Sequence, residues 1–231
     1  MHLIWEGFIE AIQLVGRGDP QILSAAWRSV WISFVAVALS TLIGLPLGVA
    51  LARGQFRGNQ LFVLIFRVGM ALPTVFVGVI CYVLFSRRGP LGPWDLLYSP
   101  WGIVAGELLL AVPIIVGISH GAVKSLDPRV GETAWTLGAG PLKRGLTYVS
   151  EARVSVMLAV LTAFGRCVTE LGIAMMVGGN IKDRTRTLAT ATALETGKGE
   201  FGRGLAMGTI LLFIALGATC LIAWLSRENK R

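Results

Sequence analysis

The amino-acid sequence predicts an all-α membrane protein, a polytopic bundle of five transmembrane helices with one polar loop near its middle. Of the 231 residues, 54% are hydrophobic and only 15% are charged, whereas an ordinary soluble domain has about 25% charged residues. Several uncharged stretches of about 20 residues are long enough to cross the ~30 Å hydrocarbon core of a bilayer. A polar segment, Asp127–Tyr148, interrupts these stretches, so it is predicted to lie outside the bilayer.

The segment of residues 1–18 is predicted to form an N-terminal amphipathic helix at the membrane interface. Apolar side chains such as Ile4 and Phe8 share one face, and Glu6 and Glu10 lie on the other. These acidic residues occupy the place where a signal peptide carries basic ones, so a signal peptide is not expected. Residues 19–231 are predicted to form one transmembrane domain, which begins at the helix-capping pair Asp19-Pro20.

Five apolar stretches of membrane-spanning length follow. They are predicted at Ser29–Ala52, Leu61–Phe85, Trp101–His120, Ala152–Val177 and Gly204–Ser226. Pro46 lies within the first and is expected to kink it, and Pro73 and Pro113 lie within the second and third. An odd number of spans places the two termini on opposite sides of the membrane.

Charged residues lie within three of the predicted spans. A charge at the centre of the bilayer costs about 2.5–3.5 kcal/mol on insertion scales, so it is expected to face a partner or an aqueous path. Arg67 and Glu107 lie on different spans and are predicted to pair as a structural contact. In the fourth span, five residues recur at helical spacing and form one polar stripe: Ser155, Thr162, Arg166, Thr169 and Glu170. This stripe either holds helices together through an Arg166–Glu170 ion pair or lines a translocation path and its gate.

The loop from Gly178 to Gly204 is rich in basic and hydroxyl side chains. Lys182, Arg184 and Arg186 alternate with threonines. Such donors suit a tetrahedral oxyanion, and they suit lipid phosphates or an acidic protein surface equally well.

Several classes of function have little support in the sequence. Cys81, Cys167 and Cys220 lie in apolar spans and are predicted to be packing residues rather than disulfides or metal ligands. The formal charge of +8 is attributed to membrane orientation and lipid headgroups rather than to nucleic acid. The sequence around Gly197-Lys198 does not fit a P-loop, because Thr192 replaces its first glycine. We therefore expect no catalytic residues, metal site or cofactor in this chain.

The polar middle segment has the signals of two short helices joined by a turn. Asp127-Pro128 is a favourable helix start, and Gly138 is typical of the residue just after a helix. Gly140-Pro141 can begin a second helix that leads into the fourth span. The prediction is a helical hairpin at the membrane surface.

One motif in this hairpin resembles a known family. Glu132-Thr133-Ala134-x-x-x-Gly138 is similar to the E-A-A-x-x-x-G core of ABC importer permeases. The resemblance implies a type I permease core in which the loop at about residues 124–150 is the cytoplasmic coupling helix. Glu132, Ala134 and Gly138 are then expected to dock onto the ATPase subunit.

The branch of the family is indicated by the sequence that follows. The family's Ile-x-Leu-Pro is replaced by Tyr148–Glu151. Further segments resemble the tungstate-type branch: Glu151–Arg153, Phe164–Arg166, Met176–Ile181, Thr185–Leu188 and Leu194–Phe201. The resemblance implies ATP-driven import of tungstate, with molybdate or another oxyanion as alternatives. It also implies a second copy of the chain, two ATP-binding cassette subunits that bind ATP and Mg, and an extracytoplasmic oxyanion-binding protein.

The charge distribution hardly decides the orientation. With Asp127–Tyr148 in the cytoplasm, ten flanking basic residues lie inside and nine outside. The resemblance implies a multi-pass protein of the prokaryotic inner membrane, with the N-terminus outside and the C-terminus in the cytoplasm. A stand-alone secondary transporter remains the alternative from a different class, although the sequence lacks the internal repeat common in such folds.

Overall fold

The computed structural model describes residues 16–54 and 56–228, together with residues 5, 9, 12 and 13. This part of the chain is helical and is connected by turns. The helices are α1 (Pro20–Arg53), α2 (Asn59–Gly69), α3 (Thr74–Phe85), α4 (Pro100–Lys124), α5 (Pro128–Thr136), α6 (Pro141–Glu151), α7 (Arg153–Val168), α8 (Gly172–Met176), α9 (Leu188–Gly197) and α10 (Phe201–Glu228). The predicted amphipathic helix of residues 1–18 lies mostly outside the described residues, so it stays a prediction.

Three of these helices are long and apolar enough to cross a membrane alone. They are α1, α4 and the Phe201–Cys220 part of α10. Two bent pairs reach the same length, α2 with α3 at an angle of 101° and α6 with α7 at 78°. The described part of the chain therefore has three candidate spans, or up to five if each bent pair crosses once, and the all-α prediction is confirmed.

Two of the predicted spans are broken in the structure. The stretch Leu61–Phe85 is divided between α2 and α3, and Pro73 immediately precedes α3. Proline lacks an N–H group and disfavours helical backbone at the residue before it, which explains a break at this place. The stretch Ala152–Val177 is also divided, because α7 ends at Val168 and α8 begins at Gly172.

The start of α1 agrees with the sequence. The Asp19 carboxylate accepts hydrogen bonds from the backbone N–H groups of Gln21 at 2.8 Å and Ile22 at 3.4 Å. Pro20 occupies the first helical position, where the missing N–H costs nothing. This cap fixes where the long first helix enters the bundle.

Small residues allow α1 to pack closely against α4. Gly44 and Gly48 lie one turn apart, and a β-carbon at Gly48 would approach the Ser119 β-carbon to 2.8 Å. Without a hydrophobic driving force between helices in lipid, such close approach supplies the packing energy of a membrane bundle. The α1–α4 pair is the framework on which α7 packs, through a buried cluster that includes Val37, Ile115 and Cys167.

Two expectations about buried side chains need correction. Cys81 and Cys167 are buried, as packing residues should be, but Cys220 is exposed on α10. Glu107 is buried in α4, whereas Arg67 is exposed on α2. Among the described residues no ion pair joins these two, and Glu107 Oε2 has no hydrogen-bond partner there. The predicted Arg67–Glu107 contact is therefore wrong.

Candidate functional site

The polar middle segment folds into a helical hairpin made of α5 and α6. Asp127 begins α5 by accepting a hydrogen bond from the Arg129 N–H at 2.9 Å. Gly138 has φ +79°, a backbone conformation that residues with a β-carbon adopt only at a cost. Its N–H reaches the Trp135 carbonyl and the Ala139 N–H reaches the Ala134 carbonyl, both at 2.9 Å. This is the Schellman arrangement that ends a helix, so the predicted role of Gly138 in the turn agrees with the structure.

The hairpin presents apolar side chains at its tip. Ala134 is buried inside the hairpin, and Glu132 is exposed on α5. Trp135, Leu137 and Leu142 surround the turn with exposed fractions of 67%, 81% and 79%. Exposed apolar groups clustered beside polar ones are typical of a protein docking surface.

The base of the hairpin is attached to the transmembrane bundle by residues that the sequence did not single out. A β-carbon at Gly131 of α5 would overlap the hydroxyl of Tyr148 on α6. The Arg53 guanidinium, at the end of α1, lies over the Tyr148 ring at 4.6 Å from its centroid. Arg53 Nη2 also donates to the carbonyls of Val123 at 2.9 Å and Leu126 at 3.4 Å. A displacement of the hairpin can therefore reach α1 and α4 through these contacts.

A second group of functional candidates lies where α7 meets α8. Arg166 Nη1 and Glu170 Oε2 form an ion pair at 2.6 Å, with the Arg166 side chain 40% exposed and the Glu170 side chain 1% exposed. The other carboxylate oxygen of Glu170 accepts the Ile173 N–H at 3.1 Å. Glu170 thus pairs with Arg166 and caps the start of α8, which explains why the predicted fourth span breaks here.

The predicted polar stripe is only partly a surface feature. Thr162 and Thr169 are exposed and Arg166 is half-buried, but Glu170 lies beneath them. The two threonine hydroxyls donate to the carbonyls of Leu158 and Gly165, each at 2.8 Å. In this arrangement their oxygens can accept hydrogen bonds, and Arg166 supplies the donors on this face.

The basic loop between α8 and α9 is anchored at the far end of α1. Lys182 and Arg186 line a cavity of about 240 Å³, together with three further basic residues, Arg28, Lys198 and Arg203, and two acidic ones, Asp183 and Glu195. Arg184 does not line it. Arg186 Nε donates to Asn180 Oδ1 at 3.1 Å, and Arg28 Nε donates to the Arg186 carbonyl at 2.9 Å. Lys198 and Arg203 belong to the basic loop region Gly178–Gly204, whereas Arg28 is distant in sequence and only the fold brings it to the cluster.

This cavity and the hairpin lie at opposite ends of the bundle. Arg28 borders the cavity and Arg53 contacts the hairpin, and both belong to the continuous helix α1. At about 1.5 Å per residue, the 25 residues between them span roughly 38 Å. This is about the full thickness of a bilayer with its interfacial regions.

Comparison with known proteins gives the family. Residues 44–231 match the family described as "Binding-protein-dependent transport system inner membrane component". The chain is 33% identical to the tungstate uptake system permease protein TupB of Peptoclostridium acidaminophilum, over 99% of this chain and 100% of that one. It is 38% identical to the protein of the same name from Campylobacter jejuni, over 93% and 90% of the two chains. It is 29% identical to the molybdenum transport system permease protein ModB of Escherichia coli K12, over 92% and 96%.

The fold agrees with a solved structure. Inward-facing MetNI, a methionine ABC transporter, has a chain that superimposes with a TM-score of 0.73 at 19% identity, covering 91% of this chain and 97% of that one. At an identity this low, the superposition shows the fold alone. The match of sequence over most of the chain and the match of fold together show that the chain belongs to the family of inner membrane components of binding-protein-dependent transport systems, and that it is a multi-pass, non-catalytic permease subunit.

Proposed function

We propose that this chain is the membrane-spanning subunit of an ATP-driven importer for a tetrahedral oxyanion, with tungstate as the first candidate and molybdate as the second. The observation that carries the coupling part of the proposal is the α5–α6 hairpin. Its exposed tip offers Trp135 and Leu137 to a partner, and its base is tied to α1 by Arg53. Such an element can transmit the motion of a separate ATPase, which binds ATP and Mg, into the membrane.

The substrate part of the proposal rests on the relatives. Two of them, from Peptoclostridium acidaminophilum and Campylobacter jejuni, carry the name of a tungstate uptake permease and are 33–38% identical to this chain. Relatives named for molybdenum and sulfate transport are less similar, at 29% and 26%. All three cargoes are tetrahedral dianions, so an extracytoplasmic binding protein is expected to select among them before the permease does.

The polar face of α7 supports the proposal that the chain works as a homodimer. Arg166 is partly exposed on the surface of a single chain, and Thr162 and Thr169 are exposed beside it. A charge on the lipid-facing side of a spanning helix is costly, so such residues normally face a bundle interior or a water-filled path. We infer that a second copy covers this face and that the translocation path runs between the two copies.

Within that path, Arg166 would meet the oxyanion. Its guanidinium offers several N–H donors suited to a tetrahedral anion, while the bond to Glu170 offsets much of its charge. Weak attraction suits a path, because cargo that binds too tightly cannot leave. Thr162 and Thr169 would provide a hydrated polar wall rather than donors.

The basic cavity would form the outer entrance, where Lys182 and Arg186 face either the released oxyanion or the binding protein. The proposed orientation therefore has the hairpin and the C-terminus in the cytoplasm and the N-terminus outside. Arg184 does not line the cavity, and we leave it out of the proposed contact.

The test of this function is a reconstituted complex of two permease chains, two ATPase subunits and the cognate binding protein. Binding protein loaded with tungstate is expected to stimulate ATP hydrolysis and uptake into liposomes more than the same protein loaded with sulfate. Uptake by the permease chain alone, driven by an ion gradient, would identify a secondary transporter and contradict the proposal.

The coupling role of the motif has a matched test. Glu132→Ala removes an exposed carboxylate from α5, and Glu151→Ala removes an exposed carboxylate from the far end of α6. Glu132→Ala is expected to weaken ATPase binding and coupled uptake, and Glu151→Ala to leave both nearly unchanged. Equal behaviour of the two variants would argue against docking at Glu132.

A further inference from the structure

A cavity of about 610 Å³ lies between the second half of α1 and helix α6. Its wall is mostly apolar and includes Leu45, Val49, Leu146 and Val149. Two arginines, Arg53 and Arg144, also line it, and no acidic residue does. The cavity is therefore amphiphilic, with a long apolar wall and a cationic part.

Both arginines hold a buried donor without an acceptor. The Nε atoms of Arg53 and Arg144 are buried and have no hydrogen-bond partner among the described residues. Leaving such a donor unpaired costs on the order of 1–3 kcal/mol, and the cavity that both side chains line is where an acceptor can reach their guanidinium groups. Arg53 is held in place by the Val123 carbonyl and the Tyr148 ring, which keeps its guanidinium at the cavity rather than in solvent.

The position of the cavity indicates what that acceptor is. Arg53 is the last residue of a membrane-spanning helix. Helix α6 turns by 78° relative to α7, so it lies close to the membrane plane when α7 crosses the bilayer. Leu146 of α6 is exposed at 62%, as expected for an interfacial amphipathic helix. The cationic part of the cavity is thus at headgroup level and its apolar wall borders the acyl chains.

We propose that this cavity is a binding site for an anionic phospholipid. The lipid phosphate lies at Arg53 and Arg144 and accepts hydrogen bonds from the guanidinium groups that line the cavity. One acyl chain lies along Leu45, Val49 and Leu146. Basic pockets between transmembrane helices commonly bind anionic headgroups, and the apolar wall distinguishes a lipid from a free phosphate. A lipid in this place joins α1 to α6 and so supports the hairpin.

The experiment uses the purified, delipidated full-length chain in detergent. Phosphatidylglycerol and phosphatidylcholine with identical acyl chains are titrated, and bound lipid is counted by native mass spectrometry alongside the thermal unfolding midpoint. Phosphatidylglycerol is expected to bind and to raise the midpoint. Arg144→Gln is expected to weaken this binding roughly five- to tenfold. The matched control is Lys143→Gln, since Lys143 is exposed on the same helix and does not line the cavity.

A second variant tests the apolar wall independently of charge. Ala50 lines the cavity, and Ala50→Trp fills it while both arginines stay. This variant is expected to lose phosphatidylglycerol binding.

Three results would overturn the proposal. The first is equal binding of the two lipids. The second is a rise in the thermal unfolding midpoint with glycerol phosphate as large as that with phosphatidylglycerol. The third is efficient cross-linking of Leu146→Cys to a second copy in native membranes, which would show that protein fills the cavity.

Discussion

The turn of the hairpin depends on one residue without a side chain. Gly138 has φ +79°, and a β-carbon there would meet no neighbouring atom within 4 Å. Gly138→Ala therefore probes backbone strain alone, which costs roughly 1–2 kcal/mol for a residue forced into left-handed conformation. We expect a lower thermal unfolding midpoint and weaker ATPase stimulation in the reconstituted complex.

The neighbouring Gly140 supplies the control. It has φ −65°, which alanine adopts freely, and its β-carbon would also meet nothing. Gly140→Ala should change the free energy of unfolding by less than about 0.5 kcal/mol. If both variants lost stability equally, the left-handed turn would not be the cause.

The Arg166–Glu170 pair distinguishes a structural contact from a transport contact. Removing either partner breaks a charge-assisted hydrogen bond of 2.6 Å, and because Arg166 is partly exposed the loss should be about 1–2 kcal/mol. Arg166→Gln, Glu170→Gln and the double variant form a thermodynamic cycle. We expect the double variant to recover part of the stability but none of the oxyanion uptake, measured in liposomes. Recovery of uptake together with stability would show that the pair only holds α7 to α8.

Among the helices, the sequence was most informative where a local signal fixes an end. The Asp19-Pro20 start of α1 and the Gly138 end of α5 have such signals, and both agree with the structure. The breaks in the second and fourth predicted spans were missed because hydropathy measures apolar length but not the direction of the axis. Glu170 illustrates this limit, since its cap on α8 depends on a side-chain contact that the periodicity of a helix does not encode.

The packing of α5 on α6 gives a prediction at the level of whole helices. Gly131→Ala would place a methyl group against the Tyr148 hydroxyl, and Tyr148 cannot turn away freely because Arg53 covers its ring. Overpacking of this kind costs about 1–3 kcal/mol. We expect Gly131→Ala to displace the hairpin and reduce coupled ATP hydrolysis.

The double variant Gly131→Ala/Tyr148→Phe removes the hydroxyl that causes the overlap. It is expected to restore coupling, which a general loss of α5 structure would not allow. Gly121→Ala on α4 is the control, because a β-carbon there meets nothing within 4 Å and alanine favours the helix. If the double variant did not recover coupled ATP hydrolysis, the effect of Gly131→Ala would have a cause other than the contact with Tyr148.

At the scale of the whole molecule, the fold separates two surfaces that are intermixed in the sequence. Lys182 and Arg186 follow the hairpin by only some tens of residues, yet α1 places them at the opposite end of the bundle. Lys198 and Arg203 join them from the same loop region, Gly178–Gly204, and Arg28 joins them from α1. Sequence spacing could not reveal the place of Arg28, because it meets the others only through the packing of α1 against this region. The numbers of flanking basic residues on the two sides of the membrane are nearly equal. This is explained if the residues of the cavity are retained for binding rather than for orientation.

The separation of the two ends makes the orientation testable. Lys198 is 53% exposed at the basic cavity, and Lys143 is exposed on the hairpin. In spheroplasts, a membrane-impermeant maleimide should label Lys198→Cys directly and Lys143→Cys only after permeabilisation. The unmodified chain is the control, since Cys81 and Cys167 are buried and Cys220 lies in the spanning part of α10. Since α1 holds the two positions at opposite ends, the reverse labelling pattern would show that the molecule is inserted with the hairpin outside. It would therefore exclude a cytoplasmic ATPase at the hairpin.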